Sequence, residues 1–155
     1  MLNNNDFISV QQADFDVAQH YNHLTAIQPG DTGAVVLFSG LVRDLQEAKI
    51  AAMELEYYPG MTEASLQKIV LQAREKWPLI GVRLVHRFGK LLRHDQIVLV
   101  GVAAGHRKDA FAACEFIMDY LKQDAPFWKA EITNDGEKRW VDAKQSDQQA
   151  DKRWD

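Results

Sequence analysis

Lys122 and Lys129 flank the corner Ala125-Pro126, and they are the side chains in this sequence with the most chemistry to offer. Proline cannot continue a helix and restricts the residue before it, so Lys122 belongs to the last turn of a helix and Lys129 to the strand that follows. Across so rigid a corner the two ammonium groups could converge on one pocket. Two cations held close disfavour each other's charge, and partial desolvation by Phe127 or Trp128 would add to that, so one could hand on a proton near neutral pH. The other could stabilise developing negative charge. A plainer reading fits the same residues: a lysine at a helix C-terminus is favoured by the dipole, and a strand lysine can block an edge. Spacing leaves both readings open.

Two further groups could hold an anion. In Phe38-Ser39-Gly40-Leu41-Val42-Arg43 an apolar strand runs into a glycine and presents an arginine, whose planar fork suits a phosphate or carboxylate. In Gly105-His106-Arg107 a histidine and an arginine stand where a strand gives way to a helix, and unpaired N–H groups and the helix dipole attract anions there. Each also reads as a turn with solvated side chains. No metal site is expected, because His20 and His23 share a helix face without a third ligand and His86 and His94 have no ligand spacing. No nucleophile elbow is present, and Cys114 lies on an apolar helix stripe with no base beside it. Any nucleophile must arrive with another molecule.

The elements that would position these groups can be read from periodicity. Val17, Tyr21 and Leu24 recur at helical spacing, and Gln28-Pro29-Gly30-Asp31 breaks the pattern before a buried strand from Ala34 to Phe38. Met53, Leu55 and Tyr57 alternate with polar residues as a strand does. Thr62 is placed to cap a helix whose apolar face is Leu66, Ile69, Val70, Ala73 and Trp77. Strands are expected at Val82 to Phe88 and Ile97 to Ala103, the second buried on both sides. A second main helix runs from about Lys108 to Gln123, with Ala110, Phe111, Cys114, Ile117, Met118 and Leu121 inward. Phe127 to Thr133 and Lys138 to Ala143 form a hairpin around Asn134-Asp135-Gly136, followed from about residue 144 by a polar tail that is mobile unless docked. Two main helices among strands that do not alternate with them predict an α+β domain.

Composition agrees with one folded domain spanning residues 1–155, after a short polar N-terminus. Hydrophobic residues make up 46% and charged residues 26%, as in ordinary globular proteins. A net charge of -4 argues against a nucleic-acid or anionic-membrane surface. There is no signal-like N-terminus, and the longest apolar run, Ile97 to Ala104, is too short to span a bilayer, so the cytoplasm is the expected compartment.

Several blocks occur together in one order: FSGLVRD at 38 to 44, EYYPGMTE at 56 to 63, GHR at 105 to 107, FIMDYLKQDAPFWKAE at 116 to 131 and SDQQADKRW near the end. With these the chain resembles the catalytic large subunits of molybdopterin synthase, the MoaE family. The resemblance implies an α/β hammerhead fold with a largely antiparallel sheet, no cofactor, and a sulfurtransferase reaction in molybdenum cofactor biosynthesis. In that reaction the C-terminal thiocarboxylate of a small ubiquitin-like sulfur carrier of the MoaD type, ending in Gly-Gly, delivers sulfur to cyclic pyranopterin monophosphate. Two transfers make the dithiolene of molybdopterin. It further implies a homodimer of large subunits within a heterotetramer. Carried over by position, the resemblance implies that Arg43, His106 and Arg107 bind the substrate's phosphate or pterin and that Lys122 and Lys129 are catalytic. Leu41, Val42, Ala130 and Glu131 then border the same pocket. Lys129 would move protons or handle the carrier terminus covalently and Lys122 would stabilise oxyanion charge, or the roles are reversed. The segment Asp44-Leu45-Gln46-Glu47-Ala48 departs from the Asn- and Gly-containing loop often found in the family, and Lys144 stands where relatives often carry arginine. The competing readings are a non-catalytic module that holds a carrier tail or a pterin, and a nucleotide- or RNA-binding domain using Arg43 and Arg107.

Overall fold

The computed structural model describes residues 2–43, 50–141 and Trp154. The elements run β1 (Asp6–Gln11), α1 (Val17–Ala26), β2 (Ala34–Leu41), β3 (Ile50–Tyr57), α2 (Met61–Lys76), β4 (Leu79–Arg87), β5 (Gly89–Leu92), β6 (Gln96–Ala104), α3 (Arg107–Asp124), β7 (Phe127–Thr133) and β8 (Lys138–Val141). They form two four-stranded sheets, in the orders β1-β4-β6-β2 and β5-β3-β7-β8. Among the described residues only the β1–β4 pair is parallel. The expected α+β class with largely antiparallel pairing is the one observed.

Sheet one carries the main core. On one face of β6, Val98, Val100, Val102 and Ala104 pack with Leu66, Ile69, Val70 and Ala73 of α2 and with Ala110, Ala113, Cys114, Phe116, Ile117 and Leu121 of α3. Each fully buried Leu, Ile or Phe here stabilises by about 1.5–3 kcal/mol. On the other face Leu99 joins Phe15 and Val85 beneath α1. Gly101 lets α1 come close, since a methyl there would stand 2.7 Å from Leu24 Cδ1 and 2.9 Å from Leu37 Cδ2. β6 is thus buried on both sides, as its unbroken apolar run predicts.

Several expectations are corrected. β2 is an edge strand and only half-buried, because among the described residues no strand pairs beyond it, and Phe38 stays 40% exposed. On α1 the inward face is His20 and Leu24, while Tyr21 points out. Phe111 on α3 is likewise exposed, and Phe116, absent from the expected stripe, is fully buried against Trp77. Thr62 does not cap α2, which starts one residue earlier with Gly60 N–H donating to Glu63 Oε1. β1 and β5 were not expected. The chain crosses from sheet one to sheet two between Arg87 and Gly89, so the stretch between the two expected strands includes a third, paired to β3. At the C-terminus Trp154 is docked, its ring edge-on to Trp77 and Phe116 and its carbonyl accepting from Lys76. The loop 44–49, Lys144, the remainder of the tail and the last two positions expected of β8 lie outside the described residues.

Candidate active site

The corner that carries the lysines is held from two directions. Thr62, fully buried, receives a hydrogen bond from Tyr58 N–H and donates its own hydroxyl to the Pro126 carbonyl, both at 3.0 Å. This ties the start of α2 to the turn after α3. From the other direction the His86 ring of β4 stacks on Phe127, the first residue of β7, with centroids 3.7 Å apart and planes within 19°. Lys122 is exposed in the last turn of α3, and Lys129 is partly buried in the middle of β7.

Register fixes which way β7 faces. Lys129 lies opposite Leu55 and Glu131 opposite Met53, and cross-strand partners share a face. Leu55 and Met53 pack with Val42 and Leu91 in a small second core, so Lys129 and Glu131 are on the inner face of sheet two. Glu131 is anchored there by Arg139 of β8 at 3.2 Å. Ala130 is fully buried but projects to the opposite face, beside Trp140, so only its backbone lies between Lys129 and Glu131 on the inner face.

Val42 belongs to the same end of the molecule. Its N–H donates to the Asp95 carbonyl at 2.9 Å and its carbonyl accepts from His94 N–H at 2.7 Å, which clamps it to the turn between β5 and β6. Leu41 is half-exposed and Arg43, the next residue after the clamp, is exposed. Val42 is buried in one cluster with Leu55, the cross-strand partner of Lys129, so the chain at Arg43 leaves from the end of the molecule that carries this lysine.

His106 and Arg107 are elsewhere. His106 is the N-cap of α3 in extended conformation, makes no side-chain cap, and is exposed with Arg107, leaving first-turn N–H groups open. The approach is fixed by Gly33, whose N–H donates to the Ala104 carbonyl and whose missing side chain makes room for Gly105: a methyl would stand 2.3 Å from the Gly105 oxygen. α3 has 18 residues and runs back along β6, with Cys114 beside the Val100 carbonyl. At 1.5 Å per residue, Arg107 and Lys122 are about 20 Å apart at opposite ends of one helix. Arg43, Lys122 and Lys129 gather at one end of sheet one, and His106 and Arg107 stand at the other.

The protonation of the site's neighbours follows from their surroundings. Burial, and after it the charge of Lys122, push the His86 imidazole down to about 4, against the opposing effect of its bond to Arg87. Nδ1 of His86 lies 2.8 Å from the Arg87 carbonyl, which can only accept, so the ring is the neutral Nδ1–H tautomer. Cys114 is buried and its thiol is pushed up to about 12, which keeps it out of the chemistry. His20 is buried and accepts from Arg83 Nε at 2.9 Å, a structural role, while His23 on the same helix is exposed. His86 was weighed from sequence only as a metal ligand; the stack that links it to the lysine corner has no signature in residue spacing.

The family model described as MoaE protein matches residues 10–124. A molybdopterin synthase catalytic subunit from Vibrio cholerae is 54% identical, over 96% of this chain and 97% of its own length. Among solved structures, a molybdopterin biosynthesis MoaE protein from Burkholderia ambifaria superposes with a TM-score of 0.82 at 54% identity, covering 96% of this chain and 97% of that one. A protein–protein complex of subunits 1 and 2 of molybdopterin-converting factor from Helicobacter pylori gives 0.74 at 19% identity, over 86% of this chain and 89% of that one, a likeness of fold alone.

Proposed function

The chain belongs to the MoaE family, and from that membership we propose how its residues carry out sulfur transfer. Its activity is that of its relatives, molybdopterin synthase catalytic subunits: a sulfurtransferase step in molybdenum cofactor biosynthesis. The relatives' naming as catalytic subunits favours this over a non-catalytic carrier- or pterin-binding module. The observation that carries our reading is the pair of lysines held across the Thr62–Pro126 and His86–Phe127 contacts, with no activated side-chain nucleophile among the described residues.

In this reading the nucleophile is the thiocarboxylate at the Gly-Gly terminus of a small sulfur-carrier subunit, and the two-subunit complex from Helicobacter pylori supports such a partner. The thiocarboxylate sulfur forms a C–S bond to a side-chain carbon of cyclic pyranopterin monophosphate as a C–O bond at that carbon breaks, the oxygen leaving protonated as water or as the freed phosphate ester, so that carrier and substrate are joined through a thioester. Water then adds to the acyl carbon, the acyl C–S bond breaks, the sulfur stays on the pterin, and the carrier leaves as a carboxylate. Two such transfers complete the dithiolene. One lysine stabilises the oxyanion formed at the acyl carbon and the other moves the proton of the attacking water. Leu41, Val42, the Ala130 backbone and Glu131 wall the pocket, and Arg43, His106 and Arg107 take the substrate's phosphate and pterin.

The two ends of α3 cannot both reach one small substrate within a single chain, given their separation of about 20 Å. The working pocket therefore takes its lysines and Arg43 from one copy and His106 and Arg107 from a second, within a homodimer that binds a carrier on each side as a heterotetramer. Each copy acts as a single domain, and the compartment is the cytoplasm. No helix among the described residues is long and apolar enough to cross a membrane.

Mixing the purified chain with a thiocarboxylated carrier and cyclic pyranopterin monophosphate should give the dithiolene product by mass spectrometry. Replacing Lys122 or Lys129 by alanine should lower the single-turnover rate about 10²- to 10³-fold, the scale for losing one preorganised charge. No product with a competent carrier, or undiminished turnover in a lysine variant, would remove the reaction or that lysine from it.

A further inference from the structure

Among the described residues His86 is the ring of sheet one that lies flat on a residue of the lysine-bearing strand: it stacks on Phe127 at 3.7 Å, and Lys129 follows two places along β7. It is 6% exposed, and its Nδ1–H is fixed to the Arg87 carbonyl, so neither the position nor the tilt of the ring is free. His86 pairs with Val98 near the start of β6, over which the C-terminal end of α3 comes to rest with Lys122. One residue beyond β4, Phe88 meets Tyr57 at 4.6 Å, and Tyr57 is the cross-strand partner of Phe127. These two aromatic contacts join the sheets at this end of the molecule, and of the two it is the His86 ring that touches the lysine-bearing strand.

We propose that His86 is a positioning residue for sulfur transfer, its flat neutral ring setting the spacing between Lys122 on α3 and Lys129 on β7. The inference rests on the reading of those two lysines as the reacting pair. An imidazole suits this place because, uncharged, it does not repel the nearby ammonium of Lys122, and its Nδ1–H satisfies a carbonyl that an apolar ring would leave bare. Burial, followed by the Lys122 charge, keeps it uncharged across the working pH range. A displacement of about 1 Å between groups that must act together can cost about 10²-fold in rate.

The test compares His86→Phe with His86→Leu in the full enzyme with its carrier. Both lose the bond to Arg87, and they differ in the flat face offered to Phe127. The expected result is a fall in kcat of about 10- to 100-fold for H86L with KM for the pterin unchanged within about twofold, and recovery by H86F to within about threefold of wild type. Equal rates in the two variants overturn the proposal, as does a loss expressed in KM alone. Failure of either variant to fold, by circular dichroism, assigns His86 to stability and overturns it too. If the lysine variants themselves keep full turnover, the underlying reading falls whatever His86 does. If they lose it while H86L does not, only the positioning role falls.

Discussion

At the scale of single residues, the neutral imidazole of His86 makes a prediction about pH as well as about catalysis. Folded, it titrates at about 4, pushed down chiefly by burial; unfolded, it returns to the ordinary 6.5. Above 6.5 both states are neutral and the group is silent. As pH falls below 6.5 the unfolded chain takes a proton that the folded one refuses, so stability drains away until the folded form also titrates near 4. At about 1.4 kcal/mol per pH unit the loss is about 3 kcal/mol. His20 is shifted in the same direction by burial and by Arg83, and adds to the loss. Urea unfolding from pH 7 to pH 4 should show the decline, and H86F should lessen it; an equally steep decline in H86F would assign it to other groups. Neither histidine's role could be read from the sequence. A lone histidine in a strand or helix carries no mark of what it will stack on, whereas Lys122 and Lys129 stood out because Pro126 dictates the corner between them. The same limit explains the exchange of Phe111 for Phe116: both lie near the edge of the apolar stripe, and the docking of Trp77 and Trp154 decides which one turns in.

At the scale of elements, the first of the two strands missed from sequence is tied in by a charge pair. Asp6 begins β1 with its carboxylate fully buried, accepting from Arg74 Nε and Nη2, each at 2.7 Å, and from the Val82 N–H at 2.9 Å. Arg74 turns two further hydrogens, on Nη1 and Nη2, to the Leu79 and Ile80 carbonyls. Asp6→Ala leaves a largely buried guanidinium without its counter-charge, and the expected cost is about 3–5 kcal/mol in denaturant unfolding at pH 7; a change under about 1 kcal/mol would mean the clamp is replaceable. Asp6-Phe7-Ile8-Ser9-Val10 alternates weakly and reads as a polar start, since a parallel edge strand needs little apolar surface of its own. β5 is short and wedged between a glycine and a tight turn, below the length at which periodicity speaks. The helices and β6 were legible because burial on a long face leaves a long pattern. Thr62 was legible as a polar helix-start residue, but its true partner, the Pro126 carbonyl, is 64 residues away.

At the scale of the whole molecule, the motifs that sequence resemblance collects into one site are divided by the fold. The end of FIMDYLKQDAPFWKAE and the described part of FSGLVRD, through Arg43, lie toward one end of the first sheet, and GHR stands at the other end of α3, about 20 Å off. Periodicity could predict α3 and its length, yet the consequence for the pocket follows only once strand register fixes where Arg43 and Lys129 lie. On the proposed reading a second copy completes the pocket, which would make the oligomer part of the chemistry. The most direct test is complementation between two inactive proteins, K129A and R107A, denatured together, refolded and assayed with thiocarboxylated carrier and cyclic pyranopterin monophosphate. Random reassortment makes about half of the dimers mixed, and each mixed dimer holds one intact pocket out of its two, so turnover should return to about a quarter of the wild-type level. Turnover that stays at the level of the separate K129A and R107A proteins would contradict the shared pocket.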